Sequence, residues 1–220
     1  TFLYEQTPII TNTDTQQDIC TGDTTQLVQF TSDMDPATDY IIFVNVNTNI
    51  SGYDATLNSG GTIPVMTLIN STNVPQDLVY SVAPVVNNCQ GGTVNFTFTV
   101  NPEPLIPNQT DEICSDETFT VNPVNNPPAT IVPAGTTYTW TVVDNPDVFG
   151  ESAENSSQTT ISQNLKNETN VPQLVNYTVT PTSGADGACV GEPFTLIVQV
   201  NPKPTLDDVN LLPICSGGAF

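Results

Sequence analysis

The feature that most constrains this chain is that it repeats itself. The run Asn70-Ser-Thr-Asn-Val-Pro-Gln-Asp-Leu-Val-Tyr-Ser-Val-Ala-Pro84 returns 97 residues later as Asn167-Glu-Thr-Asn-Val-Pro-Gln-Leu-Val-Asn-Tyr-Thr-Val-Thr-Pro181. Val100-Asn-Pro-Glu-Pro104 returns as Val200-Asn-Pro-Lys-Pro204, and the pair Ile-Cys occurs at Cys20, Cys114 and Cys215. A period of about 100 residues forces a string of similar units, each with its own core, rather than one large core. The period sets the expected boundaries. Residues 1–8 close a preceding module, 9–104 and 105–204 are two full modules, and 205–220 open a third.

Inside each period the apolar residues alternate. Tyr138, Trp140 and Val142 share one face of a strand, and Val94-Asn-Phe96-Thr-Phe98-Thr-Val100 repeats the pattern. Comparable runs fall at 27–30, 40–44, 65–68, 78–82, 119–121, 161–165, 175–179 and 194–200. Short β-branched and aromatic runs separated by turn residues predict an all-β fold of tandem immunoglobulin-like sandwiches. Trp140 is expected in the contact between the sheets, with Ile42 at the matching place in the first module. Asn-Pro-Glu-Pro and Asn-Pro-Lys-Pro predict semi-rigid extended joints. The same prolines would guard the last strand of each module if it lay at a sheet edge. No 18 apolar residues run together, so no membrane-spanning helix is expected. No leader peptide is recognisable, and the chain reads as an excerpt of something longer.

The five cysteines fit the repeat. Each module has one after its first strand and one late, which predicts the pairs Cys20–Cys89 and Cys114–Cys189, with the partner of Cys215 beyond the end of the chain. Each bridge would close a loop of about 70 residues and stabilise its module by roughly 4 kcal/mol on the chain-entropy account. Paired cysteines imply an oxidising, extracellular compartment. No Cys-x-x-Cys spacing suggests a redox or metal role.

Charge excludes more than it assigns. Twenty-three acids face two bases, Lys166 and Lys203, for a net charge of −21, and the chain has no histidine. Such a surface cannot displace counterions from a nucleic acid, and it is repelled by an anionic membrane. Histidine-based catalysis and histidine-ligated zinc are excluded. Isopeptide crosslinking common to both modules is excluded as well, because residues 9–104 contain no lysine.

Four stretches carry a resemblance. Ile214-Cys-Ser-Gly-Gly-Ala-Phe220, Gly135-Thr-Thr-Tyr-Thr-Trp-Thr-Val142, Tyr177-Thr-Val-Thr-Pro181 and Val200-Asn-Pro-Lys-Pro204 resemble the PKD-like, immunoglobulin-like tandem repeats of giant Bacteroidota surface adhesins. The first module departs from the pattern: Cys20-Thr-Gly-Asp replaces Cys-Ser-Gly-Gly, and no Tyr-x-Trp is present. The resemblance implies export by the type 9 secretion system and display on the bacterial cell surface. It also implies assembly into long filaments that serve adhesion and gliding motility. Expected partners are neighbouring modules of the same chain, the surface motility and secretion machinery, and surface polysaccharide or other cells at the filament tip. Nucleic acid and membrane insertion are not among them.

The remaining candidates are modest. Asp33, Asp35 and Asp39, then Asp144 and Asp147, then Asp207 and Asp208 group hard oxygen ligands in loops, so calcium is the one cofactor the acids suggest. None sits in an EF-hand loop. Asn-x-Ser/Thr recurs at several places, Asn70, Asn167 and Asn176 among them, as the Asn- and Thr-rich composition dictates. Asp23-Thr24-Thr25 resembles a short bacterial O-glycosylation motif, with Thr24 as the acceptor. Pairs of carboxylates are inevitable among so many acids, and no insertion builds a cleft around one. The expectation is a non-enzymatic segment of a long surface filament. The alternative is a carbohydrate-binding or spacer module of a secreted polysaccharide-degrading enzyme.

Overall fold

The computed structural model describes residues 6–35 and 38–204. The expected third-module opening, with Cys215, Asp207 and Asp208, lies outside the described residues, as does most of the preceding-module remnant.

The first module contains β1 (Gln16–Cys20), β2 (Val28–Gln29), β3 (Asp39–Asn45), β4 (Ile50–Ser51), β5 (Thr62–Ile63), β6 (Ile69–Asn70), β7 (Gln76–Val86), β8 (Cys89–Gln90) and β9 (Val94–Asn101). The second contains β10 (Gln109–Cys114), β11 (Glu117–Val121), β12 (Thr137–Val143), β13 (Val148–Phe149), β14 (Glu154–Gln158), β15 (Ile161–Asn167), β16 (Gln173–Thr182) and β17 (Phe194–Asn201). The larger sheets run β1-β9-β7-β3, with β8 hairpinned onto β7, and β10-β17-β16-β12-β14. Facing them are β2-β5 and β4-β6 in the first module and β11-β15-β13 in the second.

Alternation builds two cores. Tyr80, Phe96, Phe98, Leu78 and Ile42 are fully buried in the first module. Tyr177, Phe119, Leu165, Leu196 and Trp140 fill the second. Ile42 pairs with Val82 as Trp140 pairs with Val179, so the two modules share a register. The Trp140 indole N–H donates to the Ser152 carbonyl at 3.0 Å, which satisfies the one polar group this ring brings inside.

The first strand of each module pairs in parallel with the last. Ile19 and Cys20 lie opposite Val100 and Asn101; Ile113 and Cys114 lie opposite Val200 and Asn201. The last strand is therefore interior to its sheet, covered by the first, and needs no proline guard. The runs at 27–30 and 65–68 shrink to two-residue ladders around β2, β5 and β6. The polar strand β14 adds an unexpected edge beside β12.

The strongest repeated motif also acquires a function. The Asn70 side-chain amide donates to the carbonyls of Val74 (2.8 Å) and Val100 (2.9 Å), and its oxygen accepts from the Thr72 backbone and hydroxyl at 2.9 and 2.8 Å. Asn167 makes the same four bonds, all at 2.8 Å, with Val171, Val200 and Thr169. Each asparagine ends a strand of one sheet, shapes the turn into the next strand, and ties the turn to the last strand of the other sheet. Both are buried, with 2 % and 6 % of their surface exposed, so these Asn-x-Thr sequences are structural straps rather than attachment points for sugar.

Candidate functional site at the module junction

The parallel first strand decides where the cysteines go. Cys20 ends β1 opposite Asn101, at the end where the chain leaves the module. Cys89 sits on the hairpin preceding β9, paired with Val86, at the opposite end. The length of β9, ~23 Å at 3.3 Å per residue, separates the two ends. A disulfide needs Cα atoms about 4.4–6.8 Å apart. The expected Cys20–Cys89 pairing is therefore incorrect, and Cys114–Cys189 fails for the same reason. Instead Cys20 is bonded to Cys189, with Cα atoms 5.7 Å apart and 169 residues between them in sequence. The bridge joins the exit end of the first module to the late hairpin of the second. Cys114 is exposed and outside any disulfide, while Cys89 is half-buried on the hairpin matching that of Cys189.

Packing surrounds the bridge. Asn101 is buried, at 2 % exposure, and Cys189 at 1 %. Gly187, at φ +87°, lets the second module's loop pass over Asn101, because a Cβ there would lie 3.2 Å from the Asn101 amide nitrogen. The outgoing chain lies against the same loop: a Cβ on Gly191 would stand 2.1 Å from the Pro104 carbonyl oxygen. Gly91 and Pro8 repeat this close approach in the first module. Pro102 and Pro104 are buried. The joint is thus a packed contact with a covalent bond across it, more than the extended linker its prolines suggest.

The junction is acidic. Partial burial raises the Glu103 carboxyl above its usual range, and Asp23 and Glu192 add to the shift. Asp23 belongs to the first module and Glu192 to the second, so Glu103 senses both. A carboxyl raised in the folded state holds its proton more tightly there than when unfolded. Its contribution favours the folded state most below the unfolded-state carboxylate range, and that advantage is lost as pH rises through that range to the raised value. Glu103→Gln should raise the thermal midpoint at pH 7 by on the order of 1–2 °C, solvent screening keeping the effect small. The gain should shrink at pH 4. A variant equally stabilised at both pH values would remove Glu103 as the titrating group; calorimetry at the two pH values decides.

Two of the acids proposed for calcium make side-chain hydrogen bonds within the module. Asp33 accepts from the Ile9 backbone at 2.8 Å, and Asp35 accepts from the Ser32 backbone at 2.6 Å and the Tyr40 hydroxyl at 3.0 Å. Burial, and then that contact with Asp35, push the Tyr40 hydroxyl up to about 12. Asp39 is exposed at the start of β3, and Asp144 and Asp147 are exposed around the turn before β13. Among the described residues no three acidic or cysteine side chains gather into a metal-holding group. Thr24 is exposed and lines the same junction cleft as Cys20, Asp23 and Gly187. Lys166 and Lys203 are both on the surface, paired with Glu168 and Asp116. The residues that sequence reasoning missed are Asn101, Gly187 and Gly191. Two of the three carried a signal in the repeat, since Asn101 and Gly191 recur as Asn201 and Gly91.

A family comparison agrees with the two-module architecture. The family described as the PKD-like domain matches residues 9–104 and again 111–204. No curated protein sequence matches the chain. Similar solved structures include the Sidekick-1 immunoglobulin domains 1–4, at 8 % identity and a TM-score of 0.41 over 90 % of this chain and 49 % of that one. Mouse cadherin-23 EC22–24 aligns at 10 % identity and a TM-score of 0.36, over 90 % of this chain and 65 % of that one. The D00–D0 domain of intimin aligns at 13 % identity and 0.36, over 86 % and 98 %. The chain thus spans about half of the Sidekick-1 structure and less than two thirds of the cadherin-23 one.

Proposed function

We propose a structural role, and its premise is the family: the chain belongs to the PKD-like domain family through both of its modules. Tandem modules of this class are typical extracellular structural or adhesion units. A disulfide agrees with an oxidising compartment. Our reading is a non-enzymatic shaft segment of a long, acidic bacterial surface adhesin. We place it with the filaments that Bacteroidota export by type 9 secretion and use in attachment and gliding.

One observation supports this reading above the rest. The only disulfide among the described residues joins two modules rather than closing one. A spacer that merely separates two domains gains stability from such a bond but has no use for a fixed direction. A shaft that must keep its direction over many modules gains stiffness at every joint. The net charge of −21 keeps neighbouring shafts apart. A sugar-stacking role would need exposed rings in a row, whereas Trp140, Tyr40, Tyr80, Tyr138 and Tyr177 are buried and the exposed rings Phe43 and Phe149 belong to different modules.

The test is the size of the native polypeptide, by denaturing gel and intact mass of surface material from the source. A chain of several hundred kilodaltons yielding many related Ile-Cys peptides is expected. A short chain carrying an unrelated domain would sink the filament reading, and that domain would then name the function.

A further inference from the structure

Everything that positions Cys20 is present again at Cys114. Both cysteines end a first strand, in parallel register with the last asparagine of the module, Asn101 or Asn201. The next backbone N–H, of Thr21 or Ser115, donates to that asparagine's carbonyl at 2.9 or 2.8 Å. The cysteine's own N–H donates to a carboxylate three residues on: Asp23 at 3.3 Å, Glu117 at 3.0 Å. Between them the chain takes a left-handed turn, at Gly22 (φ +87°) and Asp116 (φ +66°). The two thiols therefore leave their modules at the same place.

Burial separates the two ends. At the first junction Asn101, Pro102 and Pro104 are buried and Cys20 is half-buried under the second module's loop. At the exit end of the second module Asn201 and Pro202 are half-buried, and Cys114 and Pro204 are exposed. The second surface is the first one with its cover lifted. Charge suits the same kind of cover, since Lys203 stands where Glu103 does, and a residue like Glu192 arriving there would meet a cation.

We propose that Cys114 is the exit-side half of a second inter-module disulfide. Its partner is the late-hairpin cysteine of a following module of this same kind, at the place Cys189 holds here. Two thiols lose two protons and two electrons as the S–S bond forms. A disulfide oxidant, such as oxidised glutathione, takes them up as its own S–S bond breaks to two thiols. The inference rests on the tandem reading but not on adhesion or on native length.

The test extends the chain. Residues 1–204 are followed directly by a second copy of 105–204, marked by Val190→Ile and carrying Cys114→Ser. After refolding in a glutathione redox buffer, non-reducing peptide mapping should find two bridges: Cys20–Cys189, and Cys114 to the Cys189 of the copy. Replacing the copy's Cys189 with serine should expose one further alkylatable thiol, at Cys114. The Cys20–Cys189 peptide reports in the same sample that the original junction has formed. Cys114 alkylated in full while that bridge is intact would overturn the proposal. Disulfide mapping of the native polypeptide gives the same two outcomes without a fusion, which covers the case of a copy that does not fold. A small native chain would sink the filament reading and leave this result standing.

Discussion

Replacing Cys20 and Cys189 together with serine will loosen the junction and lower the stability of the chain. The bridge spans 169 residues, and the chain-entropy account assigns such a loop roughly 5 kcal/mol. The whole amount is felt only when both modules unfold, because the loop consists of most of the first module and most of the second. A single module unfolding alone regains part of it. The expected result is a thermal midpoint lowered by on the order of 10 °C, with the single transition splitting toward two. Small-angle scattering of the folded variant should show a broader distribution of inter-module distances, since packing at Asn101, Gly187 and Pro104 remains but the covalent tie is gone. Reduction of the unaltered chain should reproduce both changes. An unchanged midpoint together with unchanged scattering would mean that packing alone holds the modules in line.

Asn167→Ala should cost about 3 kcal/mol. It takes a partner from the Val200 carbonyl and from the Thr169 backbone N–H, while the Thr169 hydroxyl still donates to the Val171 carbonyl at 3.0 Å; a buried polar group left without a partner costs about 1–3 kcal/mol. Relaxation and water entry at the turn keep the total below the sum. Asn70→Ala should do the same in the first module, where the four bonds are repeated. The comparison is Asn176→Ala, which removes an exposed asparagine of the same Asn-x-Thr type from β16 and should stay within about 0.5 kcal/mol. Urea unfolding of the three variants decides between a strap and a bland surface polar group. Equal effects at Asn167 and Asn176 would remove the strap.

The strands that carry the core were legible because burial on one face writes a period of two into the chain. Phe96, Phe98 and Val100, or Tyr138 and Trp140, declare their sheet and their face without help. The strand β14 was not legible, because Glu154-Asn-Ser-Ser-Gln158 lies at an exposed edge and buries nothing that would mark it. Nor was the partner of β1. Gln16–Cys20 shows no strong alternation, and nothing local says whether a first strand pairs in parallel or antiparallel. That single unknown carried the error over the cysteines. Spacing suggested a bond inside each module, while strand direction sends the two sulfurs to opposite ends. The repeat made the junction residues visible, since Asn101 and Gly191 each have a counterpart. It could not say that they meet across a boundary.

The bridge also changes how the chain bears a pull. Tension applied to the two ends runs along β1 to Cys20, crosses the sulfur bond to Cys189, and leaves along β17. Most of both modules lies on a covalent side loop that this path bypasses. Even if those modules came apart, the 169 residues between the sulfurs could not be paid out, and a slack of roughly 600 Å stays locked at 3.3–3.6 Å per residue. The two strands on the loaded path, β1 and β17, are already extended and have little length left to give. The segment behaves less like a string of springs than like a cable whose length is fixed by its chemistry.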